Sequence, residues 1–362
     1  MGFAPDLVII KGNTNQSVCF KSTSLSGDNT LKLPSQAVAY SDAIQSLDSD
    51  GFTIGTHASV NTDAVIYYWM AFKEAAGNFL ESSYTGDAVD GRSITGVGFQ
   101  PQYIFIKGND NLQAAWRDNA ESGDTSYAYQ AELYGTNLIQ SLDTDGFTLG
   151  DSAYVNNNGK TFYYAAFRSE TGIFTTGTYT GNGSDDRSIT GIGFQPTIVF
   201  VKKRPGGTEA IAVARTSSLP SGESLYLGTD AVNLTNAIQT LESDGFQVGT
   251  AAEVNTNGVV YHYAAWKATS SGGTTTSTST STSTSTTTST STSTTSTSTS
   301  TTSTSTSTTS TSTSTTSTST STSTTSTSTS TTSTSTSSST STSTSTSTTT
   351  TLQYVFSVEE AT

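Results

Sequence analysis

The residues with the best claim to chemistry are three acidic runs that each end in glycine: Asp48-Ser49-Asp50-Gly51, Asp143-Thr144-Asp145-Gly146 and Glu242-Ser243-Asp244-Gly245. Alternating carboxylates ahead of a glycine resemble the opening of a calcium loop, where hard oxygen ligands converge. A complete loop needs a further ligand and a closing glutamate. Phe52-Thr53-Ile54-Gly55 and its counterparts follow instead, so a plain hairpin turn is the stronger reading. The two histidines, His57 and His262, stand at different points of the pattern, which excludes a recurring His-based triad or metal site. His262 falls where the matching residues are Tyr68 and Tyr163, and packing is the role expected of it. No serine lies in a Gly-x-Ser-x-Gly elbow, and there is no P-loop. Cys19 is the only cysteine, so it reads as a small buried hydrophobe. Trp116 and Tyr154 are the candidates for stacking on sugar rings from exposed loops. No catalytic, cofactor-binding or metal-ligating residue is nominated. No cofactor is expected, and the chain reads as a non-enzyme.

The acidic turns belong to a longer pattern that occurs three times. Gly2-Phe3-Ala4-Pro5 returns as Gly98-Phe99-Gln100-Pro101 and Gly193-Phe194-Gln195-Pro196. Behind each turn come Val60-Asn61, Val155-Asn156 and Val254-Asn255, and each copy closes on an aromatic run: Tyr67 to Lys73, Phe162 to Arg168, Tyr261 to Lys267. The period, about 95 residues, suits one small sandwich domain. Copies two and three share a lead-in, Asn78 to Gly86 and Ile173 to Gly181, followed by Arg92-Ser93-Ile94-Thr95-Gly96 and Arg187-Ser188-Ile189-Thr190-Gly191; residues 1–74 contain no counterpart.

Strand signals dominate within each copy. Gln102 to Lys107 and Thr197 to Lys202 are apolar at consecutive positions, so both faces should be covered. Ile139 to Leu142 and Phe147 to Gly150 flank the acidic turn as a hairpin, although Ile44 to Leu47 and its counterparts also allow a short helical turn. The fold expected is all-β: tandem antiparallel β-sandwich repeats, jelly-roll or immunoglobulin-like, followed by a disordered Ser/Thr-rich stalk. The divisions are 1–74 (repeat one, without the lead-in strand), 75–170 (repeat two), 171–268 (repeat three), 269–351 (low-complexity stalk) and 352–362 (a short strand-like segment).

From Thr274 to Thr351 every residue is Ser or Thr. Such a tract has nothing apolar to offset the ~1–2 kcal/mol per residue that backbone ordering costs. As a coil it spans roughly 50 Å, and straightened by O-glycans it approaches ~250 Å. All 15 basic residues and all but two of the 29 acidic ones precede it. A surface so acidic repels phosphate backbones and anionic lipid, so neither nucleic acid nor membrane insertion is expected. No run of 18 apolar residues exists. Met1 abuts the repeat motif without a basic and apolar leader, which leads us to expect a fragment or a component released by lysis.

The string from Tyr179-Thr180-Gly181-Asn182-Gly183 through Arg187 to Pro196, then Asp244-Gly245-Phe246 and Val254-Asn255, resembles a repeat module of large bacterial secreted or surface proteins. It is also similar to an uncharacterised phage-tail-associated family. The resemblance spans roughly 1–268 and implies a structural or adhesive sandwich, with no catalytic residues to transfer. The function expected is therefore an extracellular, cell-surface or virion structural and adhesion protein, such as a surface adhesin or tail fibre. The alternative is a multivalent carbohydrate-binding array, accessory to a larger secreted enzyme. Surface glycans or further copies of the chain are the partners left open. Finally, Leu352, Tyr354, Phe356 and Val358 share one face if extended, and a donated strand from this segment would fit repeat one.

Overall fold

The structure, a computed structural model, describes residues 1–34, 39–130, 134–204 and 211–268, and the backbone of 277–280 and 344–347. The expected disorder of 269–351 otherwise lies outside the described residues, as does the strand expected over 352–358. Within the tract, Ser277–Thr280 pairs antiparallel with Thr344–Ser347, Ser277 opposite Ser347.

The described chain is almost wholly β. Repeat one supplies β1 (Leu7–Gly12), β2 (Cys19–Ser22), β3 (Leu31–Lys32), β4 (Ile44–Asp48), β5 (Gly51–Ile54) and β6 (Tyr67–Phe72). Repeat two begins with the lead-in strands β7 (Phe79–Thr85) and β8 (Arg92–Thr95). It continues through β9 (Tyr103–Gly108), β10 (Ala115–Asp118), β11 (Ser126–Ala128), β12 (Tyr134–Gly135), β13 (Ile139–Asp143), β14 (Gly146–Leu149), α1 (Ala153–Asn156) and β15 (Thr161–Phe167). Repeat three follows the same order: β16 (Phe174–Thr180), β17 (Arg187–Thr190), β18 (Ile198–Lys203), β19 (Val213–Thr216), β20 (Glu223–Tyr226), β21 (Leu234–Thr235), β22 (Ile238–Glu242), β23 (Gly245–Val248), α2 (Ala252–Asn255) and β24 (Val260–Trp266).

Each repeat forms one large and one small antiparallel sheet. The large sheets run β3-β2-β1-β6, β12-β11-β10-β9-β15-β7 and β21-β20-β19-β18-β24-β16; the small ones are β4-β5, β13-β14-β8 and β22-β23-β17. Register repeats as well: Leu7 opposes Phe72, Tyr103 opposes Phe167 and Ile198 opposes Trp266. The short helical turn allowed for Ile44 to Leu47 is strand instead. A bulge between Ile44 and Ser46, repeated at Ile139/Ser141 and Ile238/Thr240, inserts one residue. Residues three apart then share a face, which mimics a helical spacing.

The consecutive apolar residues of β1, β9 and β18 serve two cores. Val8 and Ile10, Ile104 and Ile106, and Val199 and Val201 face their own small sheet. Leu7 and Ile9, Tyr103 and Phe105, and Ile198 and Phe200 face one cluster common to all three repeats. At its centre meet three copy-equivalent residues: Phe72–Phe167 at 5.3 Å, Phe167–Trp266 at 5.5 Å and Phe72–Trp266 at 6.0 Å between ring centroids. Each such side chain contributes about 1.5–3 kcal/mol through burial. The repeats are thus lobes of one compact unit rather than beads on a string. Backbone contacts run around the unit in one sense: Ala114 N donates to Leu33 O at 3.1 Å, and Ala212 N to Tyr129 O at 2.9 Å. Repeat one meets repeat three through Ser17 Oγ, which donates to Asp230 Oδ1 at 2.6 Å.

Repeat one differs in its small sheet. A Cβ on Gly146 or Gly245 would lie 2.0 or 1.9 Å from the carbonyl oxygen of Ile94 or Ile189 on the lead-in strand, whereas one on Gly51 meets nothing within 4 Å. All three have positive φ, 142–156°. Gly51→Ala is expected to cost about 1–3 kcal/mol through backbone strain alone, and Gly146→Ala a further ~1–3 kcal/mol of steric displacement. Thermal unfolding of the two variants side by side checks this; equal losses would contradict it.

Candidate functional site

The carboxylates of the acidic turns are spent on the protein itself. Asp145 Oδ1 and Oδ2 accept from Gly98 N at 2.6 Å and Gly96 N at 3.1 Å, and Asp244 holds Gly193 N and Gly191 N at the same distances. Asp50 likewise accepts from Gly2 N and lies 3.4 Å from the amino terminus. The Gly2 amide holds the Asp50 carboxyl below its ordinary range. The Gly-Phe-x-Pro motif and the acidic turn are therefore two halves of one clasp. The earlier acid of each turn takes hydroxyls: Ser46 and Thr53 donate to Asp48, both at 2.8 Å, and Ser141 and Thr148 to Asp143, both at 2.7 Å.

The Val-Asn motif is structural in the same way. Buried Asn156 donates to Val89 O and Gly150 O, both at 3.0 Å, and accepts from Asp87 N at 3.0 Å. Asn255 repeats this with Ser184 O, Gly249 O and Asn182 N at 2.7, 2.8 and 2.9 Å. Each amide pins the lead-in loop to the hairpin, satisfying polar backbone that would otherwise be buried at a cost.

Buried cations recur as well. Lys11, Lys107 and Lys202 lie next to the ends of β1, β9 and β18, and each ammonium donates to backbone carbonyls, among them Ala231 O at 3.0 Å from Lys11 and Gln130 O at 2.6 Å from Lys202. Burial pushes Lys11 and Lys107 down to about 8 and Lys202 to about 7. Lys21, Arg117 and Arg215 occupy a second shared position, where they gather carbonyls of the loop that follows, such as Gly27 O, Gly123 O and Leu219 O, at 2.6, 2.6 and 3.1 Å.

One group has no counterpart in the other copies. His262, on β24, places Nδ1 2.9 Å from Asp118 Oδ2 on β10 and Nε2 3.3 Å from Glu121 Oε2. The second contact is close enough for charge attraction but is not aligned as a hydrogen bond. Tyr127 OH donates to Glu121 Oε2, and Arg204 Nη2 meets Glu121 Oε1 at 2.9 Å. His262, Asp118 and Glu121 are all buried. By strand register their counterparts are Tyr163 with Ser22 and Leu25, and Tyr68 with Thr216 and Leu219. Packing is thus only part of what His262 does: its ring nitrogen Nδ1 joins repeats two and three by hydrogen bonding with Asp118.

This group fits a structural role better than a catalytic one. Each ring nitrogen faces a carboxylate, and a void of about 10 Å³ beside it, lined by Trp116, Asp118, Lys202 and His262, admits about one water. Among the described residues no His, Cys, Asp and Glu group is arranged to hold a metal ion. Sequence reasoning missed Asp118 and Glu121 because their partner is 144 residues away from Asp118. The available signal was complementary departure at two repeat positions, tyrosine to histidine and Ser/Leu to Asp/Glu.

Of the two nominated sugar-stacking aromatics, Trp116 needs correction and Tyr154 is half-exposed. Trp116 is buried in the common core against Tyr103 and Tyr127, because β10 turns it inward. Tyr154, on α1, packs partly against the core of repeat two. The large hydrophobic side chains exposed among the described residues are Val89 and Val232, neither aromatic. Cys19 is buried and free as expected, and its thiol is pushed up to about 12 by that burial. No helix among the described residues is long and apolar enough to cross a membrane.

A family model described as a domain of unknown function (DUF7483) matches residues 74–173. No curated protein and no solved structure matches the chain.

Proposed function

We propose that the chain is a non-enzymatic structural or adhesion component working outside the cell or on a virion, with a three-lobed β head joined to the Ser/Thr-rich tract. The observation that carries this reading is where the recurring polar side chains go. Clasp aspartates, motif asparagines and strand-end lysines all bond within the head. Conserving a polar pattern across copies for internal bonding is the economy of a scaffold, and the one unmatched charged group is buried at a joint between lobes. The acidic balance of the head and the Ser/Thr-only composition of the tract support a solvated, outward-facing setting. The carbohydrate-binding alternative is weakened by the burial of Trp116.

An antibody raised against the full chain, applied to intact source cells and the particles they release, tests the setting. Decoration of the surface or of particles is expected, and label that appears only after permeabilisation would overturn the proposal. A glycan array with the full chain separates the alternatives. Binding competed by the free sugar would favour the carbohydrate reading.

A further inference from the structure

Three matching turns follow β2, β10 and β19. Leu7, Tyr103 and Ile198 oppose Ser22, Asp118 and Thr216, so Thr23, Asn119 and Ser217 come next in each copy. Their amides agree, donating to Asp6 O, Gln102 O and Thr197 O at 3.0, 2.9 and 2.8 Å. What each turn holds differs. In repeat one, Thr23 Oγ1 and Ser24 Oγ donate to the two carboxylate oxygens of Glu81, and Ser24 N donates to Oε1 at 2.9 Å. Glu81 is buried and belongs to β7, the lead-in strand of repeat two. The lead-in strand of repeat three, β16, carries Thr176 at the same place and brings a hydroxyl instead. The turn it meets is Asn119-Ala120: Asn119 Oδ1 accepts from Thr176 Oγ1 at 2.8 Å, and Ala120 N donates to Asp118 at 3.1 Å. The pair of hydroxyl residues thus stands where a carboxylate arrives and is replaced where none does.

Repeat three carries the pair. Ser217-Ser218-Leu219 keeps the hydroxyl, hydroxyl, leucine order of Thr23-Ser24-Leu25. Both serines are exposed, and among the described residues neither hydroxyl nor Ser218 N has a hydrogen-bond partner. Ser217 also lines an open cleft of about 620 Å³, together with Leu219, Ser221, Thr240 and Lys267. The two charged residues of the cleft, Arg215 and Lys267, are both cations, in a head where acids outnumber bases. Arg215 is spent on the carbonyls of Leu219, Pro220 and Glu223. The exposed Lys267 ammonium has no anionic partner among the described residues.

We propose that Ser217 and Ser218 form a docking site for a glutamate side chain of a second polypeptide, held as Thr23 and Ser24 hold Glu81. Two hydroxyls and one backbone N–H supply charge-assisted hydrogen bonds to the carboxylate, and Lys267 draws the anion in. A polypeptide is favoured over an acidic sugar because the occupied counterpart takes its carboxylate from a strand. The large hydrophobic side chains exposed among the described residues also include no aromatic on which a sugar ring could stack. The site names what the head would join, and to that extent it rests on the structural reading above. Binding in solution is measured without reference to where the chain works, so the two can fail separately.

The test follows the amide NMR spectrum of the labelled full chain while a capped tetrapeptide, Phe79-Leu80-Glu81-Ser82, is added to about ten millimolar. Saturable shifts are expected at Ser217 and Ser218. They should weaken at least tenfold when the peptide carries glutamine for Glu81, and equally in the double variant Ser217→Ala, Ser218→Ala, whose exposed positions should leave melting unchanged. Glu81→Ala in the full chain frees Thr23 and Ser24, so there the same peptide should shift both turns, which checks that the probe is adequate. Shifts at Ser24 of that variant without shifts at Ser218 would overturn the proposal, as would equal binding of the glutamine peptide or no shift at either turn. Shifts with glucuronate but not with the peptide would overturn the assignment to a polypeptide.

Discussion

Replacing His262 by tyrosine, the residue its counterparts carry, is expected to lower the melting temperature by about 10 °C rather than to leave it unchanged. Tyrosine fits the equivalent place in two other lobes, at Tyr68 and Tyr163, both buried. Here the substitution removes the ring that lies 2.9 Å from buried Asp118, while Glu121 keeps Arg204 and Tyr127. Leaving a buried carboxyl without its hydrogen-bond partner costs about 3 kcal/mol, the upper end for an unsatisfied buried polar group. For a unit of this size that converts to roughly 10 °C. The triple variant Asp118→Ser, Glu121→Leu and His262→Tyr rebuilds the set formed by Ser22, Leu25 and Tyr163 and should recover most of the loss. Circular dichroism melts of the single and triple variants decide the matter. A single variant as stable as the parent would show that Asp118 does not depend on His262.

Trp266→Ala should be as damaging, and its effect should spread further. Trp266 is buried against Phe72, Phe167, Phe174, Tyr103 and Phe200, so it touches all three repeats. Removing a ring system of this size from a packed core costs about 3–5 kcal/mol. Because the cavity opens in the common core, hydrogen exchange should accelerate in β1 and β9 as well as in β18. Trp266→Phe, which copies Phe72 and Phe167, should cost under about 1.5 kcal/mol. It also deletes an indole N–H that is buried without a hydrogen-bond partner. If exchange quickens only in repeat three, the lobes are not energetically coupled.

The strands were readable because their chemistry is local. Apolar residues at consecutive positions in Tyr103 to Ile106 announced two covered faces, and both are covered. What covers the second face was not readable, since a facing sheet and a neighbouring repeat demand the same side chains. The acidic turns were read as hairpin turns, and β4-β5, β13-β14 and β22-β23 are such hairpins. Their bonds to Gly96 and Gly98 were hidden because they span 49 and 47 residues. Trp116 was misjudged for a related reason: nothing in its flanking sequence shows that its side of β10 faces other repeats.

The handover of contacts from lobe to lobe, Leu33 to Ala114 and Tyr129 to Ala212, has a consequence for proteins that carry a single such module. Each joint uses different surfaces of the two partners, and joints of that heterologous kind close into a ring when the rotation between neighbours allows it. In this chain covalent linkage supplies the neighbours. A separate polypeptide with one module would keep Tyr103, Phe105 and Phe167 on an uncovered inner face. A cyclic homotrimer would cover that face with the same joints.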